Sequence, residues 1–117
     1  MTTILIVDDE DDLRLLMRLS LGNEPYEFLE ATTGAEAVEL WPNADLVLLD
    51  LRLPDIDGLD LLRGIVDRTA PVIAVSAHSE GRLRAAALEA GCQDYLTKPF
   101  TTPELITAVR ALVPAVP

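Results

Sequence analysis

The sequence contains little of several residue types, and each shortage excludes a class of protein. Cys92 is the only cysteine among 117 residues, so no intrachain disulfide can form and we expect a reducing, cytoplasmic setting. Lys98 is the only lysine, and the nine basic residues face twenty acidic ones, for a formal net charge of −11. This balance argues against direct nucleic-acid binding, which requires a basic surface.

Long apolar stretches are also missing. No run approaches the roughly 18 residues of a membrane-spanning helix, and the N-terminus lacks the basic and apolar regions of a signal peptide. What is present is the composition of a folded globular domain, with 50% hydrophobic and 25% charged residues. We therefore expect a single domain over residues 1–117, with no membrane insertion.

Short apolar runs alternate with helical patterns along the whole chain. Continuous runs such as Leu46 to Leu49 are typical of strands that helices bury on both faces. Between the runs, apolar residues recur at helical spacing, and Thr33 with Glu36 and Thr101 with Glu104 form two predicted capping boxes. The pattern predicts an α/β fold with a parallel sheet. The predicted strands cover residues 3–7, 26–31, 46–49, 71–75 and 94–97.

The helical patterns give four further expectations. The first helix is marked by Leu13, Leu16, Met17 and Leu21, and the third by Leu59, Leu62, Ile65 and Val66. An alanine-rich fourth helix over residues 80–90 has only a thin apolar face. The last helix is expected to place Leu105, Val109 and Leu112 inward.

Polar residues stand where four of these strands end. Asp8-Asp9, Asp50, Ser76 and Lys98 each follow or close an apolar run, and the carboxyl ends of parallel strands share one edge of the sheet. Clustered carboxylates repel each other unless a cation lies among them, and Mg²⁺ is the oxygen-seeking ion that suits such a cluster. A lysine and a serine opposite the metal would supply donors for a phosphoryl group.

These motifs together resemble the receiver domain of two-component response regulators. The resemblance is carried by Asp8-Asp9, the run from Leu48 to Gly58 around Asp50, Ser76-Ala77, and the segment Gly91 to Phe100, in order and over essentially the whole chain. The resemblance implies a five-stranded, doubly wound, flavodoxin-like sheet with strand order 2-1-3-4-5. It also implies phosphorelay signalling and a cis Lys98–Pro99 peptide bond.

The resemblance assigns a role to each residue at this edge. Asp50 would be the phosphoacceptor, and Asp9, Asp50 and the backbone carbonyl of Arg52 would bind Mg²⁺, with Asp8 acting mainly through water. Lys98 would pair with the phosphoryl oxygens.

Two further positions would form the switch. Ser76 would move to hydrogen-bond the phosphoryl group, and the Tyr95 rotamer would follow that movement. His78, the only histidine, is expected to be a loop residue near the mouth of the site.

The expected partners follow from the same resemblance. A sensor histidine kinase or a histidine phosphotransferase would donate the phosphoryl group, and an output partner or effector domain would read the face formed by the fourth helix, fifth strand and fifth helix. We expect no effector domain within residues 1–117. Charged residues at Arg84, Glu89 and Asp94 match a family dimer interface, but Ala108 replaces its usual arginine, so any homodimer would be weak.

Other functions fit the same residues less well. A phosphorylation-independent interaction module would not need the complete set of site residues. An aspartyl-nucleophile phosphatase would need an Asp-x-Asp motif, whereas Asp8 and Asp9 are adjacent. The chain would therefore catalyse only its own phosphorylation and dephosphorylation, as a switch rather than a metabolic enzyme.

Overall fold

The computed structural model describes residues 1–65, 70–77 and 81–113. Within these ranges strands and helices alternate along the chain, as the sequence predicts. The strands are β1 (Thr3–Val7), β2 (Glu27–Ala31), β3 (Leu46–Asp50), β4 (Val72–Ser76) and β5 (Asp94–Thr97). The helices are α1 (Asp11–Ser20), α2 (Gly34–Leu40), α3 (Gly58–Gly64), α4 (Gly81–Glu89) and α5 (Thr102–Arg110), and a 3₁₀ turn at Trp41–Asn43 follows α2.

The five strands form one parallel sheet in the order β2-β1-β3-β4-β5, which confirms the predicted topology. Every residue of β3 and β4 is buried. Successive side chains of a strand point to opposite faces, and the core accordingly divides into two apolar clusters. Leu5 and Leu49 belong to one cluster, whereas Ile4 and Leu48 belong to the other.

The predicted helical patterns are correct in position but not in every face. Leu16 is 49% exposed in α1, although its spacing suggested burial, and Arg14 is buried instead. In α3 the helix ends at Gly64 and Ile65 has an extended backbone, while Val66 lies outside the described residues. In α5 the helix ends at Arg110, before Leu112.

The two predicted capping boxes differ in outcome. At α5 both halves are present, because Thr101 accepts from the N–H of Glu104 and the Glu104 carboxylate accepts from the N–H of Thr101. At α2 the Thr33 hydroxyl accepts from the Glu36 N–H at 3.1 Å, but the Glu36 carboxylate accepts from Thr32 instead. The capping box at α2 is therefore only half formed.

The fourth helix has the thin buried face that the sequence predicts, and the described chain has no membrane-spanning helix. α4 begins at Gly81, residue 80 lies outside the described residues, and Ala87 is its only buried residue, as its thin apolar face predicts. In the described parts of the chain, no helix has the length and apolarity to span a bilayer.

Candidate functional site

Four adjacent strands bring the predicted polar residues to one edge of the sheet. Asp50 is the last residue of β3 and Ser76 the last of β4, while Asp8 and Lys98 directly follow β1 and β5. Asp50 is only 4% exposed, and Asp8 and Ser76 are also buried. Because these strands lie side by side in the order β1-β3-β4-β5, residues up to 90 positions apart in sequence meet at this edge.

The Lys98 ammonium joins two of the acids directly. Its Nζ lies 3.1 Å from Oδ2 of Asp8 and 3.3 Å from Oδ2 of Asp50. The other oxygen of each carboxylate accepts a backbone N–H, that of Glu10 at 2.9 Å for Asp8 and that of Arg52 at 3.0 Å for Asp50. Each carboxylate therefore accepts one backbone N–H and also forms an ion pair with the same Lys98 ammonium.

The balance of charge shifts the proton affinities of this pair. Burial is the main reason that the pKa of Asp50 is raised, and the charge of Asp8 adds to it, while the Arg52 N–H and Lys98 act in the opposite direction. Burial by itself would lower the pKa of Lys98, but the charges of Asp50 and Asp8 outweigh it, so that pKa is raised. A further positive charge beside Asp50 would stabilise this poorly solvated anion.

The acids of the β1–α1 loop form a candidate metal centre. Carboxylate oxygens of Asp8, Asp9 and Glu10 lie within 4.8 Å of one another. A cluster of oxygen ligands beside a single ammonium suits Mg²⁺, which prefers carboxylates and retains several waters. The structure thus adds Glu10 to the predicted acids. The ligation expected from Asp50 and from the Arg52 carbonyl stays a prediction.

The two predicted switch residues lie on neighbouring strands, Ser76 at the end of β4 and Tyr95 within β5. The Ser76 carbonyl accepts the backbone N–H of Lys98 at 2.7 Å, which fixes the ends of β4 and β5 to each other. Tyr95 is buried, and the guanidinium carbon of Arg84 lies 5.8 Å from its ring centroid, within cation–π range. The switching roles of both residues stay predictions, and His78 lies outside the described residues.

The second half of the loop after Asp50 is held by two carboxylates. The Asp55 carboxylate accepts the N–H groups of Gly34 at 2.8 Å and Ala35 at 3.1 Å, and the Gly34 hydrogen bond is the main reason that the pKa of Asp55 is lowered. Asp57 caps α3 by accepting the Leu59 N–H. Sequence patterns did not reveal the Asp55 contact, because its partners lie 20 residues away.

A groove of about 360 Å³ opens beside the acidic loop, between α1 and the segment after β5. It runs past Lys98 and the predicted cis Lys98–Pro99 bond, which is cis in the structure. Its lining is mostly apolar. The lining residues are Glu10, Leu13, Leu16, Ala77, Lys98, Pro99 and Phe100.

Comparison with known proteins places this geometry in a family. The family model described as the response regulator receiver domain matches residues 4–110. The transcriptional regulatory proteins ResD of Bacillus subtilis and KdpE of Mycobacterium tuberculosis are 43% and 40% identical over 96% and 97% of the chain. The chain covers 48% and 51% of those proteins, about half their length.

Solved structures show the same likeness. The signal receiver domain of a LuxO repressor homologue from Vibrio parahaemolyticus superposes with a TM-score of 0.89 at 32% identity, over 94% of this chain and 88% of that one. A two-component response regulator from Clostridium difficile gives 0.90 at 29% identity, over 96% and 95%.

Proposed function

Because this chain belongs to the receiver domains of two-component response regulators, we propose that it accepts a phosphoryl group on Asp50. The donor is a phosphohistidine on a sensor histidine kinase or a histidine phosphotransferase. The single observation that carries the proposal is the Lys98 ammonium, which lies 3.1 Å from one buried carboxylate and 3.3 Å from Asp50. This arrangement places a fixed positive charge beside a buried oxygen nucleophile.

The chain's own residues account for most of what the transfer needs. An Oδ of Asp50 attacks phosphorus as the nitrogen–phosphorus bond of phosphohistidine breaks, and the departing imidazole takes a proton from solvent. Phosphoryl transfer depends on alignment and charge neutralisation more than on a general base. Lys98 neutralises phosphoryl oxygens, and Mg²⁺ at Asp8, Asp9 and Asp50 would supply the remaining positive charge. Hydrolysis of the acyl phosphate later restores Asp50.

Phosphorylation is proposed to act as a switch through Ser76 and Tyr95. A phosphoryl group on Asp50 offers oxygen acceptors near the end of β4, which favours a Ser76 position that donates to it. The Tyr95 ring, which is buried and contacts Arg84 on α4, would change its rotamer with that movement. The α4–β5–α5 face would then differ between the two states, and the phosphoryl group shifts their populations.

The partners are proposed from one exposed surface and from the relatives of the chain. Leu15, Leu16 and Leu19 are exposed on α1 beside the acidic loop, and an apolar patch of this kind suits a helical kinase or phosphotransferase. The relatives ResD and KdpE are named transcriptional regulatory proteins and are about twice as long. We therefore propose that an output domain or partner, rather than this domain, contacts DNA.

Labelling with a small acyl phosphate tests the proposal without knowledge of the kinase. Wild-type protein incubated with ³²P-acetyl phosphate and Mg²⁺ should gain one phosphoryl group, seen by gel and intact mass, and EDTA should abolish the labelling. Asp50→Asn should remain unlabelled. Asp55→Asn is the matched control, because Asp55 is an exposed acid of the same loop, and it should still be labelled.

Two results would overturn the assignment. Labelling that persists in Asp50→Asn would place the acceptor elsewhere. A wild-type chain that is never labelled, yet still binds a partner, would favour the phosphorylation-independent interaction module.

A further inference from the structure

Arg14 is a buried charge that the proposed phosphoryl chemistry does not use. Four polar or charged residues are buried in the described part of the chain, and three of them, Asp8, Asp50 and Ser76, belong to the site. The fourth is Arg14, which is 9% exposed. Burying a guanidinium is costly unless each of its donors is satisfied, so its partners indicate what it does.

The guanidinium of Arg14 connects three separate parts of the chain. Its Nη1 donates to the backbone carbonyl of Asp8 at 2.7 Å, its Nε donates to Oε1 of Glu30 on β2 at 3.0 Å, and its Nη2 contacts the carboxylate of Asp11. The planar guanidinium fork can satisfy three such acceptors at once, whereas a lysine ammonium cannot reproduce that geometry.

These contacts fix the backbone of the loop that carries the acidic cluster. The N–H of Asp8 donates to the carbonyl of Ala31 at 3.0 Å, and the carbonyl of Asp8 accepts from Arg14. Both backbone polar groups of Asp8 are therefore anchored, one to β2 and one to α1. With the backbone held in this way, the Asp8 carboxylate reaches Lys98 and the next residue, Asp9, lies at the edge of the sheet.

The positive charge of Arg14 and its hydrogen bonds have opposite expected effects on the affinity of the loop for a divalent cation. A positive charge close to the loop repels a divalent cation, so electrostatics alone predicts tighter metal binding when that charge is removed. Loss of the anchor instead predicts weaker binding, because the carboxylates would no longer be held in place. The sign of the change therefore separates the two roles.

We propose that Arg14 is a positioning residue for the divalent cation: it holds the β1–α1 loop through the Asp8 carbonyl, so that the loop's carboxylates are arranged for the metal. The inference rests on the proposed function, since it assigns the cation to this loop.

Direct metal titration of the whole chain tests the proposal. Mn²⁺ serves as the probe, because electron paramagnetic resonance counts the free ion, and Mg²⁺ competition then gives the Mg²⁺ affinity. Arg14→Gln is expected to bind about tenfold more weakly, at the lower end of the effect of residues that orient metal ligands. Arg14→Lys keeps the charge and is also expected to bind more weakly.

Arg18→Gln is the matched control. Arg18 lies one turn further along α1 and its Nε contacts the same Glu30 carboxylate at 3.3 Å, but its side chain is 40% exposed. The affinity of Arg18→Gln for Mn²⁺ should be unchanged or slightly higher than that of wild type. Circular dichroism and melting in EDTA establish that each variant is folded at the titration temperature, and Arg14→Lys carries the test if Arg14→Gln does not fold.

Each outcome bears on the proposal. Unchanged or tighter Mn²⁺ binding in folded Arg14→Gln, or in folded Arg14→Lys if only that variant folds, overturns it. So does an equal loss of affinity in Arg18→Gln. A wild-type chain that binds no Mn²⁺ refutes the metal-dependent function itself, and with it this inference, so the two failures are distinguishable.

Discussion

Gly58 stands where a side chain would collide with the backbone at the end of β3. A Cβ added at this position would lie 2.5 Å from the Cα of Leu51 and 2.9 Å from the carbonyl oxygen of Asp50. Both neighbours are backbone atoms, so neither can rotate away. The N–H of Gly58 also donates to the Leu51 carbonyl at 2.9 Å, and a displacement of α3 would stretch this bond.

The cost of Gly58→Ala follows from these contacts. Overpacking costs about 1–3 kcal/mol, and weakening the hydrogen bond adds about 1 kcal/mol. Reduced backbone freedom in the unfolded chain offsets about 0.5–1 kcal/mol. Together these contributions give a net loss of about 1–3.5 kcal/mol. With an unfolding entropy of about 0.25 kcal/mol/K for a chain of this size, the Tm falls by roughly 4–14 °C.

Thermal melting followed by circular dichroism measures this loss, and Gly64→Ala is the control on the same helix. Nothing lies within 4 Å of a Cβ added at Gly64, so alanine there should raise the Tm by about 2–4 °C. Acetyl-phosphate labelling of Gly58→Ala should also slow, because the displaced strand end carries Asp50. A Gly58→Ala protein as stable as wild type would refute the packing argument, as would an equal loss in Gly64→Ala.

Two other variants test the electrostatics of the site and the start of α5. The raised pKa of Asp50 means that the folded chain holds this proton more tightly than the unfolded chain, so the stability that Asp50 contributes falls as the pH rises through its folded pKa. In EDTA at pH 7, Asp50→Asn should therefore have a higher Tm than wild type, and this difference in Tm should narrow as the pH approaches 4. A difference in Tm that does not change with pH would contradict the prediction. Thr101→Ala removes the hydroxyl that accepts the Glu104 N–H and should lower the free energy of unfolding in urea by about 1 kcal/mol. The control Thr107→Ala, on the exposed side of α5, should lower it less. Equal losses in the two variants would contradict the capping role.

Sequence patterns were most informative about residues whose position depends on local order. Asp50 and Ser76 each close a short apolar run, which marks the point where a buried strand ends. In a parallel sheet the carboxyl ends of the strands lie along one edge, so these residues lie at the same edge. The capping box at Thr101 is likewise local, since both of its partners lie within one helical turn. The strand order followed from the resemblance to a family and is confirmed by the pairing of the strands.

Helical periodicity selected most, but not all, of the buried face of α1. Met17 and Leu21 are buried as predicted and Leu13 packs against the core, but Leu16 is exposed. The tertiary structure exposes Leu15, Leu16 and Leu19 and buries Arg14. Burial of Arg14 depends on Glu30, 16 residues away on β2, and no local pattern encodes that contact.

The sequence by itself therefore determined the alternation of strands and helices, the polar strand ends and the chemistry that they favour, because each depends on neighbours in the chain. Only the tertiary structure decided which acids share the Lys98 ammonium, that Asp55 caps α2, and that Arg14 anchors the acidic loop. The reason is physical: hydrogen bonds and ion pairs require distances of about 3 Å, and separated segments reach those distances only when the sheet and its helices have packed together.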